Sequence, residues 1–315
     1  MRIGMVGLGR MGANMTTRLL RGGHEVVVYD RDPAAVARSA EGGAVGADSL
    51  ERLVAQLGTA GERQVWVMVP SGAPTEESVT TLVGLLAPGD AIVDGGNSNY
   101  QDSIRRAQAS AAKGVHFVDA GTSGGVWGLA EGYALMVGGH DDAVARLTPI
   151  FQTLAPAPDR GWAHVGPAGA GHFTKMVHNG IEYGLMQSYA EGFAILKAKP
   201  GFGDTAYRLD LAQIAEVWRY GSVVRSWLLD LTALALAENP QMDGIAPYVS
   251  DSGEGRWTVA EALALDVPAP IITGSLIARL RSRDAEGYGD RLLAAMRNQF
   301  GGHAIKKAGQ QGGDV

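Results

Sequence analysis

Lys175, Asn179 and Glu182 follow one another at spacings of four and then three residues within residues 169–183, which places all three side chains on one face of an α-helix. Phe173, Met176, Val177, Ile181 and Leu185 fill most of the remaining circumference. A narrow polar stripe on an otherwise apolar rod is the pattern of a helix that lines a cleft, not of one that faces bulk water. By helix rise, Lys175 and Glu182 stand about 10 Å apart. A small molecule fits between them, with one group placed to take a proton and the other to give one. Base chemistry by a lysine requires a neutral amine, and the apolar face around Lys175 supplies the burial that lowers its proton affinity. The bland alternatives are a lysine whose stem covers apolar surface while its ammonium reaches water, and a glutamate on a solvated helix face.

Such a stripe needs elements that hold it against a cofactor and a substrate, and the N-terminal half supplies them. A short apolar run, residues 2–6, leads into Gly7-Leu8-Gly9-Arg10-Met11-Gly12, then into helical residues 13–20 and a β-branched run, 25–29, that ends at Asp30. Strand, glycine turn, helix and strand within about 30 residues is the context that makes a Gly-x-Gly-x-x-Gly match a dinucleotide-binding signal. Gly7 permits the turn, Gly9 lets the backbone approach a pyrophosphate, Gly12 lets the helix pack on the strand, and the helix N-terminus favours the anion. Asp30 stands where the adenine ribose is expected. A carboxylate there accepts hydrogen bonds from the ribose hydroxyls of NAD and repels the 2′-phosphate of NADP. NAD is therefore the expected cofactor. Arg31, next in sequence, could swing towards a 2′-phosphate, which leaves NADP as a weaker alternative. The expected cofactor-binding set is Gly7, Gly9, Arg10, Met11, Gly12, Asp30, Arg31, Val69 and Asn97.

Further strands are predicted at 65–69, 91–94, 115–119, 133–137 and 162–165, most of them separated by helical segments. The alternation predicts a doubly wound, largely parallel sheet with ligands beyond the carboxyl ends of its strands. Three loops at those ends, 69–72, 94–98 and 120–125, combine glycine with small hydrogen-bonding side chains. Taken singly, Asn97 and Ser98 could merely cap a helix beginning near Gln101, and Ser123 could close a turn. After Gly166-Pro167 the chain reads as helices at 169–198, 210–220, 226–237, 258–264, 270–282 and 288–300. The expected architecture is α/β: a Rossmann-type sheet domain over 1–166, then an all-helical substrate and oligomerisation domain over 167–315.

With 315 residues, 46% of them hydrophobic, the chain can bury a sizeable core, and its net charge of -6 gives no reason to expect nucleic acid or an anionic membrane as partner. It has no cysteine, so neither disulfides nor thiolate metal sites arise, and its seven histidines show no metal-ligand spacing, so no metal is expected. Without a leader-like segment or a long apolar run, a soluble, cytoplasmic protein is the expectation.

GLGRMG at 7–12, DGGNS at 94–98, TSGG at 122–125 and GHFTKMVHNGIEYG at 171–184 together resemble decarboxylating 6-phosphogluconate dehydrogenase, in its short bacterial type usually linked to NAD. GEGRWT at 253–258, Ala278-Arg279 and RNQFGGH at 297–303 extend the resemblance to about residue 305. The glycine turn and TSGG are shared by all β-hydroxyacid dehydrogenases, whereas KMVHNGIEY is far more specific. The resemblance implies Lys175 as general base and Glu182 as general acid, with His178 and Asn179 beside them. It implies that Asn97, Ser123, Gly124, Gly125, His178 and Asn179 contact the sugar acid or nicotinamide. Tyr183, Arg279 and Arg297 would hold a phosphate, and His303 would complete the substrate site. It further implies a homodimer or homotetramer in which a neighbour contributes the last helical segment. Where longer relatives carry a phosphate-binding lysine this chain has Ser252, and Glu254 follows; since a carboxylate repels phosphate, Glu254 is expected to turn outward. The rival readings are a β-hydroxyacid dehydrogenase that acts on a non-phosphorylated acid without decarboxylation, and a dinucleotide-binding protein without turnover.

Overall fold

The computed structural model describes residues 1–199, 209–302 and 304–306. Eight strands form one sheet in the order β3-β2-β1-β4-β5-β6-β7-β8. The first half winds outward from β1 (Arg2–Val6) through helix α1 (Arg10–Arg21) to β2 (Glu25–Tyr29), then through α2 (Pro33–Glu41) to the two-residue β3 (Val45–Gly46). Helix α3 (Leu50–Gln56) returns the chain to β4 (Gln64–Val67), on the other side of β1. From there α4 (Ala73–Leu85), β5 (Ala91–Asp94), α5 (Tyr100–Ala111) and β6 (His116–Ser123) continue the parallel array. A 3-10 turn and the short α6 (Gly128–Glu131) reverse direction, so β7 (Ala134–Gly138) runs antiparallel to β6, and α7 (Asp141–Leu154) leads to β8 (Trp162–Gly166), parallel to β7.

Alternation along the strands sends neighbouring side chains to opposite faces. Ile3, Met5, Val28, Trp66 and Val118 pack with Met15 and Leu19 of α1 and Leu147 and Phe151 of α7 on one face. Val27, Val65, Val67, Ile92 and Phe117 pack with Leu53 of α3 and Val79 and Leu82 of α4 on the other. Both faces of the central strands are thus covered, as an almost uninterrupted β-branched run such as Val26-Val27-Val28 requires.

Helices follow: α8 (Ala170–Ala198), α9 (Leu211–Arg219), α10 (Trp227–Glu238), α11 (Glu254–Ala264), α12 (Pro270–Arg281) and α13 (Tyr288–Gly301). The chain forms two compact units. One comprises Met1–Glu182 and Glu254–Val267, so the sheet, the first half of α8 and α11 belong together; the other comprises Tyr183–Gly253 and Pro268–Val315. In the second unit, Phe193 of α8, Ala215 of α9 and Leu229, Ala233 and Leu236 of α10 make a separate core. Among the described residues no helix is long and apolar enough to cross a membrane.

The segment 120–125, read as a loop, is extended as far as Ser123: β6 pairs with β7 from Asp119 opposite Gly138 to Ser123 opposite Ala134. Only Gly124 and Gly125 leave the strand, both with positive φ, at 128° and 50°. Its glycines made the segment look like a loop. Gly121, however, serves close packing, because a Cβ there would collide with the Cβ of Lys175 and the carbonyl oxygen of Gly171. The absence of a side chain lets α8 lie directly on β6.

Candidate active site

At the end of β1, Gly7 takes φ 94° and its N–H donates to the Tyr29 carbonyl at 2.9 Å, closing the turn against β2. A Cβ on Gly12 would overlap the Gly7 carbonyl oxygen, whereas one on Gly9 would meet nothing within 4 Å and would fill the open space in front of the turn. The N-terminus of α1 has no side-chain cap and no acidic residue in its first turn, which leaves N–H groups directed at an incoming anion. Asp30 ties the far side of the cradle together: Oδ2 accepts from the Leu8 N–H at 2.6 Å and Oδ1 from the Asp32 N–H at 2.8 Å. A carboxylate has about four acceptor positions, so these bonds fix its direction and leave capacity for ribose hydroxyls. Arg10 and Arg31 are exposed beside it, Met11 is half-buried, and Val69 is half-buried at the next loop. These residues fit a dinucleotide with its pyrophosphate at the glycine turn.

The loop after β5 is held by Asp94, which is fully buried. Its carboxylate accepts from the Gly96 N–H at 3.1 Å and the Ser98 hydroxyl at 2.7 Å, and Arg106 approaches at 3.3 Å. Ser98 is therefore spent on the loop, and the cap of α5 is Asn99, whose side chain accepts from Gln101. Asn97 stays exposed at the tip.

The same device anchors the helix that carries the polar stripe. Asp119, fully buried at the middle of β6, accepts from the Gly169 N–H at 2.6 Å and the His172 N–H at 2.8 Å, satisfying two of the orphan donors of α8. One and two turns further on lie Lys175 and Asn179, 7% and 8% exposed. Lys175 Nζ donates to Asn179 Oδ1 at 2.5 Å and lies 3.4 Å from His178 Nδ1, which is itself 3.1 Å from Asn179 Oδ1. Glu182 follows half-exposed, with Oε2 3.8 Å from His178 Nδ1. Burial pushes the Lys175 ammonium below its ordinary pKa, opposed by the charges of Glu254 and Glu182. The arrangement is a buried amine held by Asn179 and His178, with a half-exposed carboxyl two turns away.

Glu254 does not turn outward. It is 3% exposed at the start of α11, its carboxyl oxygens have no hydrogen-bond partner among the described residues, and burial raises its pKa against the pull of Lys175 and His172. Motif reading missed the anchoring roles of Asp94 and Asp119, and it placed Glu254 facing outward. For the first two the available signal was an acid at the end or centre of an apolar strand.

In the helical unit, Tyr183 and Arg279 come together, with the guanidinium carbon 3.4 Å from the ring centroid. Arg279 donates to the Ser250 carbonyl at 3.0 Å, and the Tyr183 hydroxyl lies 3.2 Å from Ser252 Oγ and 3.4 Å from Asp251 Oδ1. Arg297 is exposed on α13, and His303 lies outside the described residues.

A Rossmann-type sheet with a glycine-turn cradle, followed by a helix bearing a buried lysine, defines a nicotinamide-dinucleotide-binding oxidoreductase. Residues 2–166 match the NAD-binding domain of 6-phosphogluconate dehydrogenase and residues 171–290 match that enzyme's C-terminal domain. The chain belongs to the 6-phosphogluconate dehydrogenase family. It is 42% identical over 308 residues, 98% of this chain and 99% of the relative, to the NAD(+)-dependent, decarboxylating 6-phosphogluconate dehydrogenase of Haloferax volcanii. Against the decarboxylating enzyme of Haemophilus influenzae it is 37% identical over 96% of this chain and 63% of the relative. The solved 6-phosphogluconate dehydrogenase of Plasmodium falciparum superposes with a TM-score of 0.80 at 27% identity, over 99% of this chain and 67% of that one.

Proposed function

We propose that the protein oxidatively decarboxylates 6-phospho-D-gluconate to D-ribulose 5-phosphate and CO2, with NAD as the preferred acceptor, Lys175 as base and Glu182 as acid. The carrying observation is Lys175 itself, buried, hydrogen-bonded to Asn179 and favoured in its neutral form by desolvation. A dinucleotide held at the glycine turn and Asp30 would supply, through its nicotinamide, the acceptor for a hydride from C3. Lys175 takes the C3 hydroxyl proton in the same step, leaving a 3-keto acid. Its ammonium then donates to the C3 oxygen as the carboxylate leaves as CO2, which stabilises the enediol without a metal. Glu182 protonates the carbon that becomes C1 of the ketose while Lys175 recovers the proton from the C3 oxygen. Asn179 and His178 hold the lysine in line throughout, and Asn97, Ser123, Gly124 and Gly125 bind the sugar acid or nicotinamide. Formation of CO2 and ribulose 5-phosphate from 6-phosphogluconate is the direct test; oxidation without CO2 release would mark a plain hydroxyacid dehydrogenase.

The order of steps separates the two ionisable groups. In Glu182→Gln, single-turnover NADH formation should survive far better than net ketose formation, because oxidation precedes protonation of C1. Equal loss of both would remove Glu182 from the role of late acid.

The terminal phosphate is assigned to Tyr183, Arg279 and Arg297, with His303 completing the substrate site. Guanidinium forks match phosphate oxygens, and the Tyr183 ring holds the Arg279 plane in a fixed orientation. Arg279→Ala is expected to raise KM for 6-phosphogluconate by about tenfold, from the loss of one charge-assisted contact, and to leave KM for gluconate nearly unchanged. Equal effects on both substrates would place the phosphate elsewhere. A cytoplasmic homodimer or homotetramer, with a neighbour supplying Arg297 and His303, completes the reading.

A further inference from the structure

Helix α11 is remote in sequence from the stripe yet packs in the same compact unit. The Thr258 hydroxyl donates to the Met176 carbonyl of α8 at 2.7 Å and lies near the Glu254 carbonyl at 2.9 Å. Its side chain occupies the space over Gly180, where a Cβ would collide with it. This contact clamps the first turn of α11 onto the turn of α8 that follows Lys175. Glu254 precedes Thr258 by four residues and so shares its face.

Within that clamp, Glu254 is an anomaly. A buried carboxyl group ordinarily has a donor or a cation in contact, but here neither oxygen has a hydrogen-bond partner among the described residues. Lys175 is not within the 4.0 Å of an ion pair, yet each of the two buried groups draws the other towards its charged form, against the burial that favours the neutral one. Among the described residues the other ionisable groups around the pair are His172, His178 and Glu182 of α8: His178 Nδ1 lies 3.4 Å from Lys175 Nζ, while His172 and Glu182 act on Glu254 with opposite signs. Behind them, His172 Nδ1 lies 3.9 Å from Asp119 and 2.7 Å from Ser103 Oγ, and Tyr100 of α5 donates to Glu261 of α11. A carboxylate in direct contact would occupy the ammonium and block the lone pair that a base needs. A carboxylate held at longer range stabilises the positive charge without holding the proton.

We propose that Glu254 is a positioning residue that sets the proton affinity of Lys175, acting as its counter-charge across a gap too long for an ion pair. The proposal rests on the reading of Lys175 as base. Burial alone would make the amine a poor proton acceptor for the C3 hydroxyl; Glu254 restores part of that affinity and supports the ammonium while CO2 leaves.

The test is the pH dependence of kcat/KM for 6-phosphogluconate in the full-length protein, for wild type, Glu254→Gln, Glu254→Met and Glu254→Asp, with Lys175→Met alongside. Removing the counter-charge should move the acid limb to lower pH by about one unit in the Gln and Met variants. The Asp variant, which keeps a carboxylate, should stay closer to wild type. Glu254→Met fills a similar volume and deletes a buried group without a partner, so it is expected to unfold at no lower temperature than wild type and reads the same limb should the Gln variant fold poorly. An acid limb that stays in place in both variants, with Lys175→Met inactive, overturns the role of Glu254 alone. An active Lys175→Met variant would instead remove the base assignment on which the proposal depends.

Discussion

Replacing Lys175 by Met is expected to slow the chemical step by about 100-fold or more while leaving the fold and cofactor affinity nearly intact. Methionine reproduces the length and apolar character of the lysine stem, and the site it enters is 7% exposed. Asn179 loses its 2.5 Å donor but keeps His178 Nδ1 at 3.1 Å. The stability of the variant carries its own signature. Burial depresses the Lys175 pKa below its ordinary 10.5, so between the folded and unfolded values the unfolded chain binds more protons, and wild-type stability rises with pH. The cost of the buried amine is full on the acid side and vanishes as pH passes 10.5. Lys175→Met should therefore melt at least as high as wild type at neutral pH, with the difference closing towards alkaline pH. Stopped-flow NADH absorbance and thermal melts across pH measure both, and near-wild-type turnover would sink the mechanism.

The cofactor prediction rests on Asp30. Wild type should prefer NAD over NADP at least tenfold in catalytic efficiency, and Asp30→Asn should erode that preference by about tenfold. A carboxylate about 4 Å from a 2′-phosphate in an effective dielectric near 20 is repelled by about 4 kcal/mol per unit charge, an upper limit because the site is open to solvent and salt. The substitution acts twice. It removes the repulsion, and it replaces one acceptor oxygen by an amide donor, so that either the Leu8 or the Asp32 N–H loses its acceptor. KM for NAD should rise while KM for NADP falls or holds. A wild-type preference for NADP would show that Arg31 governs the pocket.

The boundaries of β1 and β2, and α8 to within a residue of its start, were legible because apolar period, glycine and β-branched runs all pointed the same way there. β3 has only two residues, too few for any period to register. The end of β6 was misread because Gly121 serves helix packing, and glycine in sequence does not declare which of its uses applies. The first turn of α11 was hidden in the same way by Gly253 and Gly255, which flank Glu254. At the site, the stripe of Lys175, Asn179 and Glu182 was readable from helical spacing alone. The inward turn of Glu254 and the grip of Asp119 on α8 were not, since each depends on residues far away in sequence.

The close contact of Gly121 with Lys175 separates two properties that natural variation could otherwise have entangled. The lysine is located by backbone lying on backbone at β6, whereas Asp30 sits at the end of β2, four strand positions away in the sheet order, or about 19 Å at the usual strand spacing. On the proposed reading, a lineage could exchange one dinucleotide for the other by altering residues 30–32 without disturbing Lys175. At position 121, by contrast, a single added methyl group would have no room that did not move the lysine, so drift is open at one end of the cofactor and closed at the other.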